Sequence, residues 1–350
     1  MPKRTLAPSL SLLLAVGPLA TGPVPAAERC SRTNFTACLN GVSSSVTNGA
    51  SLRESGGDQD TIATERAWRA EAEAEDEALA AAPVMSLWGS YGYSDFGSDF
   101  SFAGTSLAYD ADAHNALTGI DRLFAGRYLL GIAGSYQHVD AETRFNGGSQ
   151  QNDGFGVVPY AALLIDQHFS VDASFGYSWL DYDQQRISPV DGSGVLADFD
   201  SERWFAAFNL NGRVQHGAWQ LASRVGYLRV DESQDPYLET GNAARAVARR
   251  DITLAQVVVG GEVGYTHGAF EPFVGLLYRN DVDRRDGGRA GGLPGAFTAV
   301  QTDDDDELEL SVGLRWFTRW GVTGSLEYLR VEGRETFDSD SVLLSLRAAL

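Results

Sequence analysis

From Phe169 to Trp179 the chain changes character at every residue. Phe169, Val171, Ala173, Phe175, Tyr177 and Trp179 alternate with Ser170, Asp172, Ser174, Gly176 and Ser178. A strict period of two belongs to an extended strand whose pleat sends one set of side chains to each face. The run is about twice the length of an average strand, with Phe169 at one end and Tyr177 and Trp179 at the other. A strand that crosses lipid needs roughly 9–11 residues and carries aromatics at its two water interfaces. This stretch therefore predicts one stave of a membrane-spanning barrel.

The same alternation recurs after Pro83, near 85–94, 113–123, 127–140, 154–166, 168–183, 201–215, 218–232, 251–266, 269–284, 304–318, 320–332 and 339–350. Trp204, Ala206, Phe208 and Leu210 oppose Ala207, Asn209, Asn211 and Arg213. Trp219, Leu221, Val225 and Tyr227 oppose Gln220 and Arg224. Phe270, Val274 and Leu276 oppose Glu271, while Leu308, Leu310, Val312 and Leu314 oppose Glu309 and Arg315. Leu326 and Tyr328 oppose Glu327. Phe155 to Leu164 is apolar on both faces, and the pattern leaves it unoriented.

Short connections at Ala125-Gly126, Asp166-Gln167, His216-Gly217, His267-Gly268 and Arg319 alternate with long ones near 141–153, 184–200, 233–250 and 285–303. Outer-membrane barrels have short periplasmic turns and longer outer loops. The predicted fold is all-β: a 12-stranded antiparallel up-and-down transmembrane barrel over 84–350, with its C-terminus on the periplasmic side. A soluble sandwich would also bury one face of each strand, but leaves the strand length and the loop alternation unexplained.

Residues 1–26 read as a secretory signal: Lys3 and Arg4, the apolar Leu10–Val16, then Val24-Pro25-Ala26. Residues 27–60 form a polar leader, where Cys30 and Cys38 predict a disulfide in an oxidising compartment. From 61 to 83 the composition turns to Ala, Glu and Arg, predicting a helix that Pro83 ends. At 1.5 Å per residue, 65–82 would span ~27 Å, close to the apolar band of such a barrel. Glu65, Arg66, Arg69, Glu73 and Glu77 leave it little apolar face, so it suits a water-lined pore better than a core. Arg213, Arg224 and Arg315 are the expected partners of its acids, with Glu271, Glu309 and Glu327 lining the same lumen beside Arg66 and Arg69. A solvated periplasmic helix is the alternative.

The formal charge of −20 excludes nucleic acid as a partner. Outer-membrane lipid and lipopolysaccharide, periplasmic chaperones and barrel-assembly machinery are the expected partners, and the expected state is a monomer. No histidine pair has helical metal-ligand spacing and no glycine-rich phosphate loop opens a helix, so neither metal nor cofactor is expected. Asp303–Asp306 with Glu307 could offer oxygen ligands to calcium, although a solvated acidic loop explains the run better. His138 is the one candidate for a Ser–His hydrolase on the barrel wall.

The stretches Leu87-Trp88-Gly89, Tyr91-Gly92, Tyr109-Asp110-Ala111-Asp112, Gly119-Ile120-Asp121-Arg122-Leu123 and Gly176-Tyr177-Ser178-Trp179-Leu180-Asp181-Tyr182-Asp183 resemble the autotransporter β-domain, the translocator of type V secretion. The resemblance covers roughly 84–350. It implies a twelve-stranded barrel in a Gram-negative outer membrane, reached by Sec-dependent export, whose pore holds a helix leading to an exported passenger. The family's last residue is usually aromatic, but here it is Leu350. Val342, Leu344, Leu346 and Ala348 still form the alternating end that the assembly machinery reads in this family. The passenger shrinks to 27–60, and the helix lacks the Asn-Asn pair at which some members cut themselves. The leader is therefore expected to stay attached and to be exported or displayed. A small pore or adhesion barrel plugged by the helix is the second reading, and a lipase-like enzyme the third.

Overall fold

The computed structural model describes residues 84–350, apart from 100, 103–104, 107, 126, 144–146, 167, 189, 287–304, 319–321 and 335–336. The expected signal, the Cys30–Cys38 pair and the helical stretch with Arg66, Arg69, Glu73 and Glu77 lie outside the described residues.

Twelve long strands close into one barrel. They are β1 (Val84–Ser98), β2 (Tyr109–Phe124), β3 (Tyr128–Thr143), β4 (Gly148–Leu164), β5 (Phe169–Ile187) and β6 (Gly194–His216). They continue with β7 (Trp219–Gln234), β8 (Arg250–Tyr265), β9 (Phe270–Asp286), β10 (Asp306–Phe317), β11 (Val322–Glu332) and β12 (Phe337–Ala349). Each pairs antiparallel with its neighbours in the chain, and β1 closes the ring against β12, with Leu87 opposite Ala348. Closure leaves no free sheet edge, which lipid would not tolerate. Both ends of the barrel chain lie with the short turns, where the Leu350 N–H donates to the Met85 carbonyl at 2.9 Å.

The apolar set of each strand faces outward. Phe169 and Trp179 are 48% and 54% exposed, whereas Ser170 between β4 and β6 is buried. Phe124, Tyr128, Phe169, Trp219, Tyr265 and Phe270 crowd the short-turn end, and Tyr91, Tyr136, Phe155, Trp179, Tyr278 and Tyr328 the other. Ten steps from Phe169 to Trp179 rise ~33 Å along the strand, or ~25 Å of membrane at a tilt of ~40°. The unoriented stretch of β4 also resolves: Phe155 and Val157 face lipid, and Val158 and Tyr160 face inward.

Two expectations need correcting. The strands run beyond their expected outer ends, and much of 141–153 and 184–200, read as loop, is strand. Above Trp179 the polarity inverts, so that Asp181 and Asp183 turn outward to water while Leu180 and Tyr182 turn inward. Tyr182 stacks on Phe199 at 4.8 Å, and Phe199 on Tyr237 at 4.3 Å. Tyr237–Leu238 itself pairs with Ala246–Val247 in the connection after β7. Once the outside medium is water, a strand keeps its pleat but exchanges the chemistry of its faces, and reads locally as a polar loop. The second correction concerns the inner wall, which is not uniformly polar. Trp88, Leu117, Leu129, Tyr160, Phe205, Leu228, Val230, Ile252 and Leu254 form an inward apolar cluster.

Candidate translocation lumen

Inward positions on β8 to β11 carry charge, and the register brings opposite signs together. The Arg315 guanidinium forks onto Glu262, with both bonds at 2.6 Å, and donates to Glu271 at 2.9 Å. It lies over the Phe273 ring, 4.0 Å from the centroid. Nearer the outer mouth, Arg279 donates to Glu307 at 3.1 Å and to Glu309 at 2.7 Å. Arg334, in the turn after β11, reaches in to Glu307 at 2.8 Å and Asp281 at 3.2 Å. The planar fork of arginine suits such two-point contacts. Across the lumen, Arg203 donates to Glu232 at 2.8 Å and Gln137 at 2.8 Å, and Tyr182 and Ser201 also donate to Glu232.

At the short-turn end a chain of contacts spans the closure of the ring. Arg347 on β12 pairs with Asp121 on β2, Asp121 accepts from Tyr160 on β4 at 2.8 Å, and Tyr160 accepts from Trp88 on β1. Tyr160 reaches that far only because it lies flat over Gly131; a Cβ there would stand 2.3 Å from its ring. Trp88 likewise covers Gly119, where a Cβ would meet the indole at 2.6 Å.

The structure places Arg213, Arg224, Arg315, Glu271, Glu309 and Glu327 on the inner face, as the alternation predicts. It brings Arg315 to Glu271, whereas Glu309 meets Arg279. Glu262, Asp281, Arg334 and Asp121 escaped the sequence reading, because ion pairs across two strands depend on register. The expected contacts of the wall with the helix lie outside the described residues. Val342, Leu344 and Leu346 are exposed on the outer face of β12, and Leu350 follows it at the rim.

His138 faces outward, with Nδ1 2.9 Å from Asp153 and Nε2 2.9 Å from Asp140, so both ring nitrogens meet carboxylates and neither a serine. The acidic run divides between faces: Asp306 accepts from Tyr278 at 2.6 Å outside, while Glu307 is buried inside with Arg279 and Arg334. Tyr136 makes a similar bond to Asp153 at 2.8 Å, and Tyr93 and Tyr328 bond to Asp112 and Asp340. These tyrosines mark the upper water boundary, where an aromatic body sits in lipid and its hydroxyl in water.

A closed ring of twelve long strands, apolar outside and with charged groups paired on its inner wall, is a transmembrane β-barrel. The autotransporter β-domain family model matches residues 86–329, and the chain belongs to that family. Its fold is similar to the translocator domain of the autotransporter NalP from Neisseria meningitidis, with TM-score 0.65 and 11% identity over 85% of this chain and 99% of that one. It also resembles the β-domain of the Bordetella autotransporter BrkA, with TM-score 0.58 and 18% identity over 75% of this chain and 98% of that one. The transport unit of AIDA-I from Escherichia coli aligns with TM-score 0.53 and 10% identity over 76% and 90% of the two chains. None of the curated proteins matches the chain. The family and fold imply a Gram-negative outer-membrane location.

Proposed function

We propose that this translocator barrel carries its own short N-terminal segment across the outer membrane and keeps it attached. In this reading the helical stretch 61–83 occupies the lumen and 27–60 lies outside the cell. The observation that supports it most directly is the start of β1: Val84 stands at the short-turn end, so a helix of ~27 Å just before it has the length to return through the conduit. Family membership supports the direction of transport. Export into the periplasm would begin with the signal at 1–26, and chaperones and the barrel-assembly machinery would then handle the outward stripe of β12. The barrel would act as a monomer, with its acidic outer belt among lipopolysaccharide headgroups.

Protease added to intact cells tests the proposal. It should remove 27–60 and leave the barrel, while untreated membranes yield an uncut mature chain. Attack on 27–60 only after the outer membrane is breached would overturn it, as would a spontaneous cut within 61–82.

A further inference from the structure

One strip of the inner wall differs from the rest. Along β12, β1 and β2 the inward face carries several small side chains: Ser341 and Ser345 on either side of Leu343, then Ser90, Gly92 and Ser94, then Ala113 beside Asn115. Ser90 pairs with Ser345, Ser94 with Ser341, and Gly92 with Asn115. Asn115 and Ser345 are each 1% exposed and Ser90 is 6% exposed. Both amide atoms of Asn115 and the hydroxyls of Ser90 and Ser345 nevertheless find no hydrogen-bond partner among the described residues. Buried polar groups are rarely left so. On β8 to β11, Arg279 and Arg315 meet carboxylates of the wall itself, and only scattered atoms such as the Gln256 Oε1 and the Thr323 hydroxyl find no partner among the described residues.

We propose that this strip is the seat of the helical stretch 65–82, which lays an edge of alanines against it. The inference rests on the luminal placement proposed above and adds which wall the helix uses and which way it faces. Ala67, Ala70, Ala74, Ala78 and Ala81 are three or four residues apart, so in a helix they form one edge. Small side chains on the helix edge and at Ser90, Gly92 and Ser94 of β1 let backbones approach closely beside Leu343, bringing polar helix groups within reach of Asn115. The chain also arrives at the right place, because Pro83 leads directly into the strand that carries Ser90 and Ser94. Eight residues back from Ala82, Ala74 stands ~12 Å up the lumen. About five residues of a tilted strand climb as far, which puts Ala74 level with Ser90.

With the alanines so placed, Glu65, Arg69 and Asp76 fall on the opposite edge of the helix, toward the far wall. The register identifies that wall. Stepping through paired residues from Gly92 reaches β7 at Gln234 by way of β2 and at Gln220 by way of β12. The level point is midway, beside Gly226 and Leu228, and Arg224 lies just below it. The Arg224 Nε is buried and without a partner among the described residues. It faces the acidic edge of the helix across the lumen.

Disulfide trapping in the full-length chain tests the seat. In outer membranes carrying C30S and C38S, A74C is combined with S90C on the near wall or with L228C on the far wall. Only barrels with the compact gel mobility of the folded state are scored. The oxidant should link A74C to S90C at least tenfold more than to L228C. Equal or preferential linkage to L228C would overturn the seat while leaving the helix in the lumen. No linkage to either wall would overturn the luminal placement and the seat with it.

Discussion

At the scale of single residues, the ring is secured by glycines that make room for a neighbour's side chain. Gly131 matters for what lies on it, because Tyr160 crosses it to reach Asp121 and so links β4 to the β12–β1 closure. Gly131→Ala puts a methyl into the phenol ring and should lower unfolding stability by about 1–3 kcal/mol, the usual range for overpacking. Tyr160→Phe, which keeps the ring and loses the hydroxyl, should cost about 1–2 kcal/mol through the unpaired Asp121 and Trp88 groups. Urea titration in lipid vesicles measures both, and an unchanged midpoint for Gly131→Ala would refute the account. The sequence shows that Gly131 is a glycine among alternating residues, but not that a tyrosine covers it. That contact joins residues paired across two strands, and only register brings them together.

At the scale of elements, β8 to β11 form a charged panel and the outer ends of β5 to β8 a pinned arm. Arg315 serves Glu262 and Glu271 at once, and Glu271 is fully buried. Arg315→Met strands two carboxylates and should cost about 3–5 kcal/mol, whereas the triple change with Glu262→Gln and Glu271→Gln should recover most of the loss. If the triple variant unfolds as readily as the single one, charge pairing is not what Arg315 contributes. In the arm, Asp191 accepts from Asn242 at 2.8 Å, and from the Ser193 hydroxyl and N–H at 2.7 and 3.1 Å. These donors hold its carboxyl well below the usual carboxylate range. A lowered folded pKa stabilises the arm above the ordinary aspartate value of ~3.9, and the gain is lost as pH falls toward the folded value. Asn242→Ala should raise the Asp191 titration midpoint toward the ordinary value, as followed by carboxyl carbon NMR. A midpoint that stays put would show that Asn242 plays no part. Five short turns and the alternating faces made the barrel strands legible in advance. The arm was not, because above the membrane its polarity inverts and Leu180, Tyr182 and Phe199 turn to the inside.

At the scale of the whole molecule, the governing relation is between the aromatic belts and the thickness of the bilayer. Trp179 and Trp219 stand on the outer face at opposite interfaces, while Trp88 is buried in the lumen. In variants retaining one of these tryptophans, quenchers at headgroup depth should dim Trp179 and Trp219 more than quenchers at the bilayer centre. Neither should reach Trp88. Central quenching of Trp179 or Trp219 would mean that the barrel sits at another depth.

The sequence alone determined the staves and, except along Phe155 to Leu164, their lipid-facing side. A period of two and the length of a run are local properties, which the bilayer selects strand by strand. The identity of Arg213, Arg224, Arg315, Glu271, Glu309 and Glu327 as inner-face residues follows from the same period. Which of those charges meet, where the lumen is apolar, and how Tyr160 and Arg347 tie the ring shut were decided only by the closed barrel. Its register joins residues as distant in sequence as Asp121 and Arg347, and no local pattern carries that information.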